Sequence, residues 1–255
     1  MPLVPRIELV AIPGLPRVRP GDDLPGLLIA AAQAAGLAFQ DGDVLAVAQK
    51  VVSKAEGRLV RLADVTPSER ALALAGQAQK DPRVVQLILE ESTEVLRVRP
   101  GAVIVEHRLG FVCANAGVDQ SNVLGDDRWA LLLPADPDAS AQRLVERVRE
   151  ATGACIAALI VDSHGRAWRL GTVGVAIGVA GLRPVTDLRG HLDLTGRPLQ
   201  TTEVGTADEI AAAASLLMGQ ADEGTPAVIV RGARYVAGPG RLGELLRPRS
   251  QDLFR

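Results

Sequence analysis

Cysteine is scarce in this sequence: 255 residues contain only Cys113 and Cys155, far apart and without a Cys-x-x-Cys pair. That argues against a disulfide framework and against a zinc–thiolate site. Both thiols are expected to be small buried hydrophobes. Aromatic residues make up only 2% of the chain, leaving few platforms for stacked bases. Basic residues form no block and the formal net charge is −2, so no nucleic-acid partner is expected. No apolar run reaches the ~18 residues of a membrane helix. The first residues lack a basic stretch followed by an apolar one, so no signal peptide is read and a cytoplasmic protein is expected. The glycine-rich phosphate loops GxxxxGK[ST] and GxGxxG are missing, as is GxSxG. His107, His164 and His191 lack the HExxH spacing of zinc hydrolases. Lysine is scarce as well. Of 28 basic residues only Lys50, Lys54 and Lys80 are lysines, and two of them stand four positions apart.

What remains is an ordinary globular composition, 47% hydrophobic and 23% charged, long enough to bury a core. Strand patterns fall at residues 6–12, 44–48, 57–62, 95–98, 102–106, 111–114, 130–133 and 227–230. The continuous apolar run 156–161 reads as a central strand buried on both faces. Residues 172–180 read as a strand whose glycines let other backbone approach. Helices are expected from Asp22 and Asp23 to a stop at Gly36, from an N-cap at Thr66, over 82–91, over 136–151 with a stop at Gly153, and from a capping box at Thr206 and Glu209 to about Met218. Strands and helices interleave without a strict βαβ rhythm. The class is α/β of the mixed α+β kind, mixed sheets with flanking helices, over a single domain 1–255.

Four segments carry chemistry. The run 111–122 ends in Asn115, Asp119, Gln120, Ser121 and Asn122 around Gly117. A carboxylate there suits a hard cation, and small neighbours let backbone N–H groups approach phosphate; an Asx-rich turn has the same composition. Asp162, Ser163, His164 and Arg166 follow the central strand, where a carboxylate commonly holds a ligand; a turn with a surface arginine fits too. Lys50 and Lys54 are ammonium groups in a chain that otherwise uses arginine, and suit a polyphosphate; a solvated lysine pair is the alternative. The segment 217–226 holds Gln220, Asp222 and Glu223 between glycines, and on pattern alone reads as a helix-to-strand loop.

Together these pieces resemble one family, the coenzyme F420-0:L-glutamate ligases. The stretches that carry it are GLP (14–16), GDVLAVAQKVVSKAEGR (42–58), GFVCANAGVDQSN (110–122), DSHGR (162–166), AIGVAGL (176–182) and DEIAAAASLLMGQADEGTPAVIVRG (208–232). The resemblance implies a two-part α/β fold, a homodimer, no nitroreductase-like domain within these residues, and a cytoplasmic enzyme. It implies a GTP-dependent ligase with two divalent-cation sites for Mg²⁺ or Mn²⁺, joining L-glutamate to F420-0 and then adding γ-linked glutamates. By the family pattern Asp119 and Asp162 would bind metal, Ser163 and Gln220 would help hold a second ion, and Lys54 would act with the aspartates on the transferring phosphoryl group. GTP would be met by Pro13, Gly14, Leu15 and Pro16, by Gln49, Lys50, Lys54 and Asn122, and by Met218, Gly219, Gln220, Ala221, Asp222, Glu223, Gly224 and Thr225. This chain has Ser163 where the family often has threonine, and His164 where it usually has an aromatic. Two other readings are a ligase of the same scaffold with another acceptor, and a GTP-binding protein without turnover.

Overall fold

The computed structural model describes residues 4–120 and 127–253. In chain order the elements begin with β1 (Glu8–Ala11), α1 (Leu24–Ala34), β2 (Val44–Ala48), α2 (Gln49–Ala55) and β3 (Leu59–Arg61). Then come α3 (Glu69–Ala78), α4 (Pro82–Glu90), β4 (Ser92–Arg99), β5 (Ala102–His107), β6 (Val112–Ala114) and β7 (Trp129–Leu131). The last third holds α5 (Pro137–Thr152), β8 (Ala157–Gly165), β9 (Thr172–Ala180), β10 (Thr186–Asp187), β11 (Glu203–Val204), α6 (Thr206–Met218) and β12 (Ala227–Arg231). The mixed α/β class is therefore the one observed.

The main sheet has the order β1-β12-β2-β8-β9. Only β2 and β8 run parallel, with Val44 opposite Ala157 and Ala48 opposite Val161. Side-chain alternation sorts the sheet into two cores. Leu45, Val47, Ala158 and Ile160 face one side, packed with α1, α5 and the neighbouring small sheet. Val44, Ala46, Ala157, Leu159 and Val161 face the other, under Ala207, Ile210, Ala211 and Ala214 of α6. The run 156–161 is thus an interior strand covered on both faces, as its unbroken hydrophobicity predicts. The small sheet β4-β5-β6 and the pair β3-β7 lie in the long excursion between β2 and β8. Val103 and Val105 of β5 and Leu87 and Ile88 of α4 join the same core as α1 and α5.

The glycines of β9 do what their spacing suggests. A Cβ on Gly178 would stand 2.4 Å from the carbonyl oxygen of Pro137, at the start of α5. One on Gly174 would meet Ser215 of α6 at 2.6 Å. Both helices therefore press directly on this strand.

Helix caps agree with the sequence in part. Asp136 caps α5 by accepting the Ala139 N–H at 3.0 Å, and Gly153 closes it in a left-handed conformation. Asp23 caps α1 and Asp81 caps α4. Two caps are corrected. The N-cap of α3 is Ser68, whose hydroxyl accepts from Ala71 N–H, not Thr66. The N-cap of α6 is Gly205 without a side-chain bond; the Thr206 hydroxyl instead meets that of Thr186 at 2.7 Å, so no capping box forms. The thiols also divide: Cys113 is buried, but Cys155 is exposed. Among the described residues no helix is long and apolar enough to cross a membrane.

Candidate active site

The parallel register of β2 and β8 sets the carboxyl end of β2, at Ala48, beside Val161 and next to Asp162 of β8. A cavity of about 780 Å³ opens there. Its walls are the ends of both strands, the segment after β1, helix α2, and the loop between α6 and β12.

Helix α2 was not read from the sequence as a helix, yet it explains the lysine pair. Positions four apart share one helix face, so Lys50 and Lys54 both line the cavity, with Gln49 beside them. The Gln49 side-chain carbonyl is tied within the helix by the Ser53 hydroxyl at 3.0 Å. Lys50 Nζ lies 2.6 Å from Asp119 Oδ2. The Lys54 ammonium is pushed below its usual range, first by burial and then by the charges of Lys50 and Arg17, with Asp119 opposing.

Asp119 is aimed by an unusual turn. Asn115, Ala116 and Gly117 take φ of +55°, +50° and +63° in succession. Left-handed backbone costs a non-glycine residue about 1–2 kcal/mol, and several contacts hold it here. Asn115 Oδ1 accepts the Val103 N–H at 3.0 Å, Ala116 is fully buried, and Leu133 fills the space where a Gly117 side chain would stand. Asn115 therefore acts on the backbone rather than on a ligand. The chain then pairs Asp119 with Leu131 through both backbone bonds, at 3.0 and 2.8 Å. Ser121 and Asn122 lie outside the described residues.

Asp162 and Ser163 lie within β8, which runs on to Gly165 and does not end before Asp162 as the sequence suggests, and both line the cavity. Asp162 Oδ2 contacts His164 Nε2 at 3.0 Å. Phe111 sits between two imidazoles, its centroid 5.1 Å from that of His107 and 5.1 Å from that of His164. The neighbouring Cys113 thiol is pushed up to about 12, chiefly by burial and then by the Asp162 charge. It is a protonated thiol, not a nucleophile.

The loop 218–225 lines the cavity throughout, Gln220 included. Thr225 Oγ1 donates to the Leu217 carbonyl at 2.7 Å, and Glu223 accepts the Ala221 N–H at 2.9 Å. Backbone N–H groups thereby hold the Glu223 carboxyl below its usual range. Of the GLP segment, Leu15 and Pro16 line the cavity, while Pro13 and Gly14 precede the lining residues. Sequence reasoning missed Arg17, Arg19 and Ser215, which also line it. Arginine is too frequent in this chain to stand out as lysine does.

Among the described residues no group of three or more His, Cys, Asp or Glu side chains is arranged around a metal position. The available donors are the carboxylates Asp119 and Asp162, the Ser163 hydroxyl and the Gln220 amide. This all-oxygen set fits Mg²⁺ or Mn²⁺, which keep water or phosphate oxygens in their shells. A cation already stands on Asp119, in the form of the Lys50 ammonium.

Fold and site define an α/β protein with an open cavity where its parallel strands β2 and β8 meet helix α2 and the loop before β12. Comparison with known proteins narrows this. Residues 14–232 match the family model described as F420-0:Gamma-glutamyl ligase. The coenzyme F420:L-glutamate ligase of Methanothermobacter thermautotrophicus is 50% identical over 251 residues, covering 98% of this chain and 99% of that protein. The proteins of the same name from Methanopyrus kandleri and Archaeoglobus fulgidus are 46% and 45% identical, covering 99% and 98% of this chain and 99% and 97% of their own. The chain belongs to the F420-0:gamma-glutamyl ligase family.

Proposed function

We propose that this protein joins L-glutamate to coenzyme F420-0 at the expense of GTP, and extends the product with γ-linked glutamates. The observation that carries the reading is a cavity lined by Lys50, Lys54 and Asp162, with Asp119 paired to Lys50, in a chain kin over its whole length to proteins named for that ligation.

A free carboxylate is a poor acyl electrophile and must be activated before an amine can displace oxygen from it. An oxygen of the F420-0 carboxylate attacks the γ-phosphorus of GTP. The bond to the bridging oxygen breaks, and GDP leaves. The glutamate amine then attacks the acyl carbon, phosphate departs, and the amide nitrogen loses a proton. Divalent cations, Mg²⁺ or Mn²⁺, supply neutralisation of phosphate charge in this chemistry. The protein's own share is to bind and orient. Asp119, Asp162, Ser163 and Gln220 are the oxygen donors for the cations. Lys50 and Lys54 face the phosphates, and the loop 218–225 with Leu15 and Pro16 frames the nucleotide. Lys54, half-buried and near the charges of Lys50 and Arg17, is placed to gain from an incoming polyphosphate. No side-chain nucleophile is required, in keeping with the protonated state of Cys113.

The same reading carries a homodimer acting in the cytoplasm, where GTP and glutamate are supplied. The test is incubation with GTP, Mn²⁺, F420-0 and L-glutamate. The acceptor should gain mass in glutamyl steps, with one GDP per step. GTP binding without mass gain would favour a non-catalytic binder. Mass gain only with a different carboxylate would reassign the acceptor.

A further inference from the structure

Helix α2 is too short to hold its own place. It has seven residues, Gln49–Ala55, and Ala48 before it is extended and supplies no side-chain cap. Helices of that length are marginal in water and take their stability from packing. Gln49, Lys50 and Lys54 line the main cavity. Val52, Ala55 and Glu56 instead line a second cavity, of about 310 Å³, which lies between α2, the start of α1 and α5. Packing behind the lysine-bearing helix is therefore incomplete.

Glu56, the residue that closes α2, bridges this gap. Its Oε1 accepts from the Ser140 hydroxyl and from the Arg143 guanidinium, and Arg143 also donates to Ser140 Oγ at 3.0 Å. The Glu56 side chain is 21% exposed and Ser140 is buried, so the tie is partly shielded from solvent. Exposed ion pairs contribute little; shielding and a second partner strengthen this one. Both partners stand on α5, a helix of 16 residues capped at each end by Asp136 and Gly153. Its first turn presses on β9 at Gly178. The short helix is thus fastened to a rigid one. A backbone bond from Gly21 N–H to the Ala55 carbonyl, at 2.9 Å, holds the same end.

We propose that Glu56 is a positioning residue: by clamping the carboxyl end of α2 to Ser140 and Arg143 of α5, it sets where Lys50 and Lys54 stand in the main cavity. It acts through the helix and not by contact with a ligand. Lys54 is only two residues away, so a shift of the helix end moves its backbone directly. The inference rests on the phosphate-facing role proposed above for the two lysines.

The experiment compares wild type with Glu56→Ala, Glu56→Gln and Arg143→Met. Ser68→Ala, which removes the cap of α3 and leaves α2 untouched, serves as the control for lost stability. Equilibrium binding of GDP and of inorganic tripolyphosphate is measured by calorimetry, and stability by thermal unfolding. Glu56→Ala should weaken both ligands by about 3–30-fold, the size of an effect transmitted through packed elements. Arg143→Met should act in the same direction. Glu56→Gln keeps an oxygen acceptor for Ser140 and Arg143 and should recover most of the loss. Ser68→Ala should lose stability yet bind as wild type does. Under turnover KM for GTP should rise with the binding constant, while KM for L-glutamate stays within about twofold, below the range expected of a transmitted effect. Should Glu56→Ala bind both anions as wild type does, the proposal is overturned. It is overturned too if glutamine binds no better than alanine, if Ser68→Ala weakens binding equally, or if wild type binds neither anion. Should Glu56→Ala lose its fold by circular dichroism, Arg143→Met decides by the same limits. Should wild type bind both anions but form no product, the ligase reading fails, while the calorimetric comparison still decides on Glu56.

Discussion

Replacing Glu91 with glutamine should cost this protein about 3 kcal/mol at neutral pH, and the cost should fade in acid. Glu91 follows α4, and its side chain is only 11% exposed. Oε1 accepts from Arg58 at 2.8 Å and Oε2 from Arg108 Nε at 2.9 Å. Arg58 also donates to the Leu133 carbonyl, and Arg108 to the Ala135 carbonyl. One carboxylate thus ties the segment after α2, the end of α4, the end of β5 and the lead into α5. Burial alone would raise its pKa; His107, Arg58 and Arg108 together hold it at about 2 instead of 4.5. The two guanidiniums matter most, since His107 Nε2, at 3.6 Å, is beyond hydrogen-bond reach. A depression of that size corresponds to about 3 kcal/mol of stability. That agrees with the ~3–5 kcal/mol lost when a buried ion pair is broken. The direction follows from the depressed value. The contribution is complete above the unfolded pKa near 4.5 and is lost as pH falls toward 2. Urea unfolding of wild type and Glu91→Gln at neutral pH and at several acid pH values measures both effects. At neutral pH the midpoint temperature should also fall by about 6–12 °C. A difference under about 0.5 kcal/mol at neutral pH, or one that does not shrink in acid, would refute the reasoning.

Asp119→Ala should abolish product formation while retaining the wild-type far-UV circular dichroism; full activity would remove Asp119 from the site. Gly178→Ala should destabilise by about 1–3 kcal/mol, because the added methyl meets the Pro137 carbonyl at 2.4 Å; an unchanged melting curve would show that α5 yields freely. Ser68→Ala should cost about 1 kcal/mol as the cap of α3 is lost, and Thr66→Ala almost nothing; the reverse order, read by urea unfolding, would restore the cap to Thr66.

Much of the framework is legible because local chemistry and tertiary packing agree. Asp136 and Gly153 bound α5 as a cap and a left-handed stop, and the unbroken run 156–161 reads as a strand covered on both faces, as residues 157–161 are. The caps of α3 and α6 were misread because several hydroxyls compete there. Ser68 stands two residues after Thr66, and Thr206 has a better partner in Thr186, distant in sequence. The small pair β10-β11 escaped notice because two-residue strands carry no period. At the site, the lysines were visible through scarcity and the aspartates through their polar neighbours. Arg17 and the Glu91 clamp were not, since each depends on residues that only the fold brings together. Asn115 was visible as a polar group, but its task of bracing a left-handed turn could not be read from composition.

Labelled oxygen offers the most direct test of the proposed ligation. F420-0 carrying ¹⁸O in its lactyl carboxylate is incubated with the protein, GTP, Mn²⁺ and L-glutamate, and the inorganic phosphate is analysed by mass. Phosphoryl activation of that carboxylate predicts one labelled oxygen in the phosphate for the first glutamate joined. Product accompanied by unlabelled phosphate, or no product from an authentic acceptor, would contradict it.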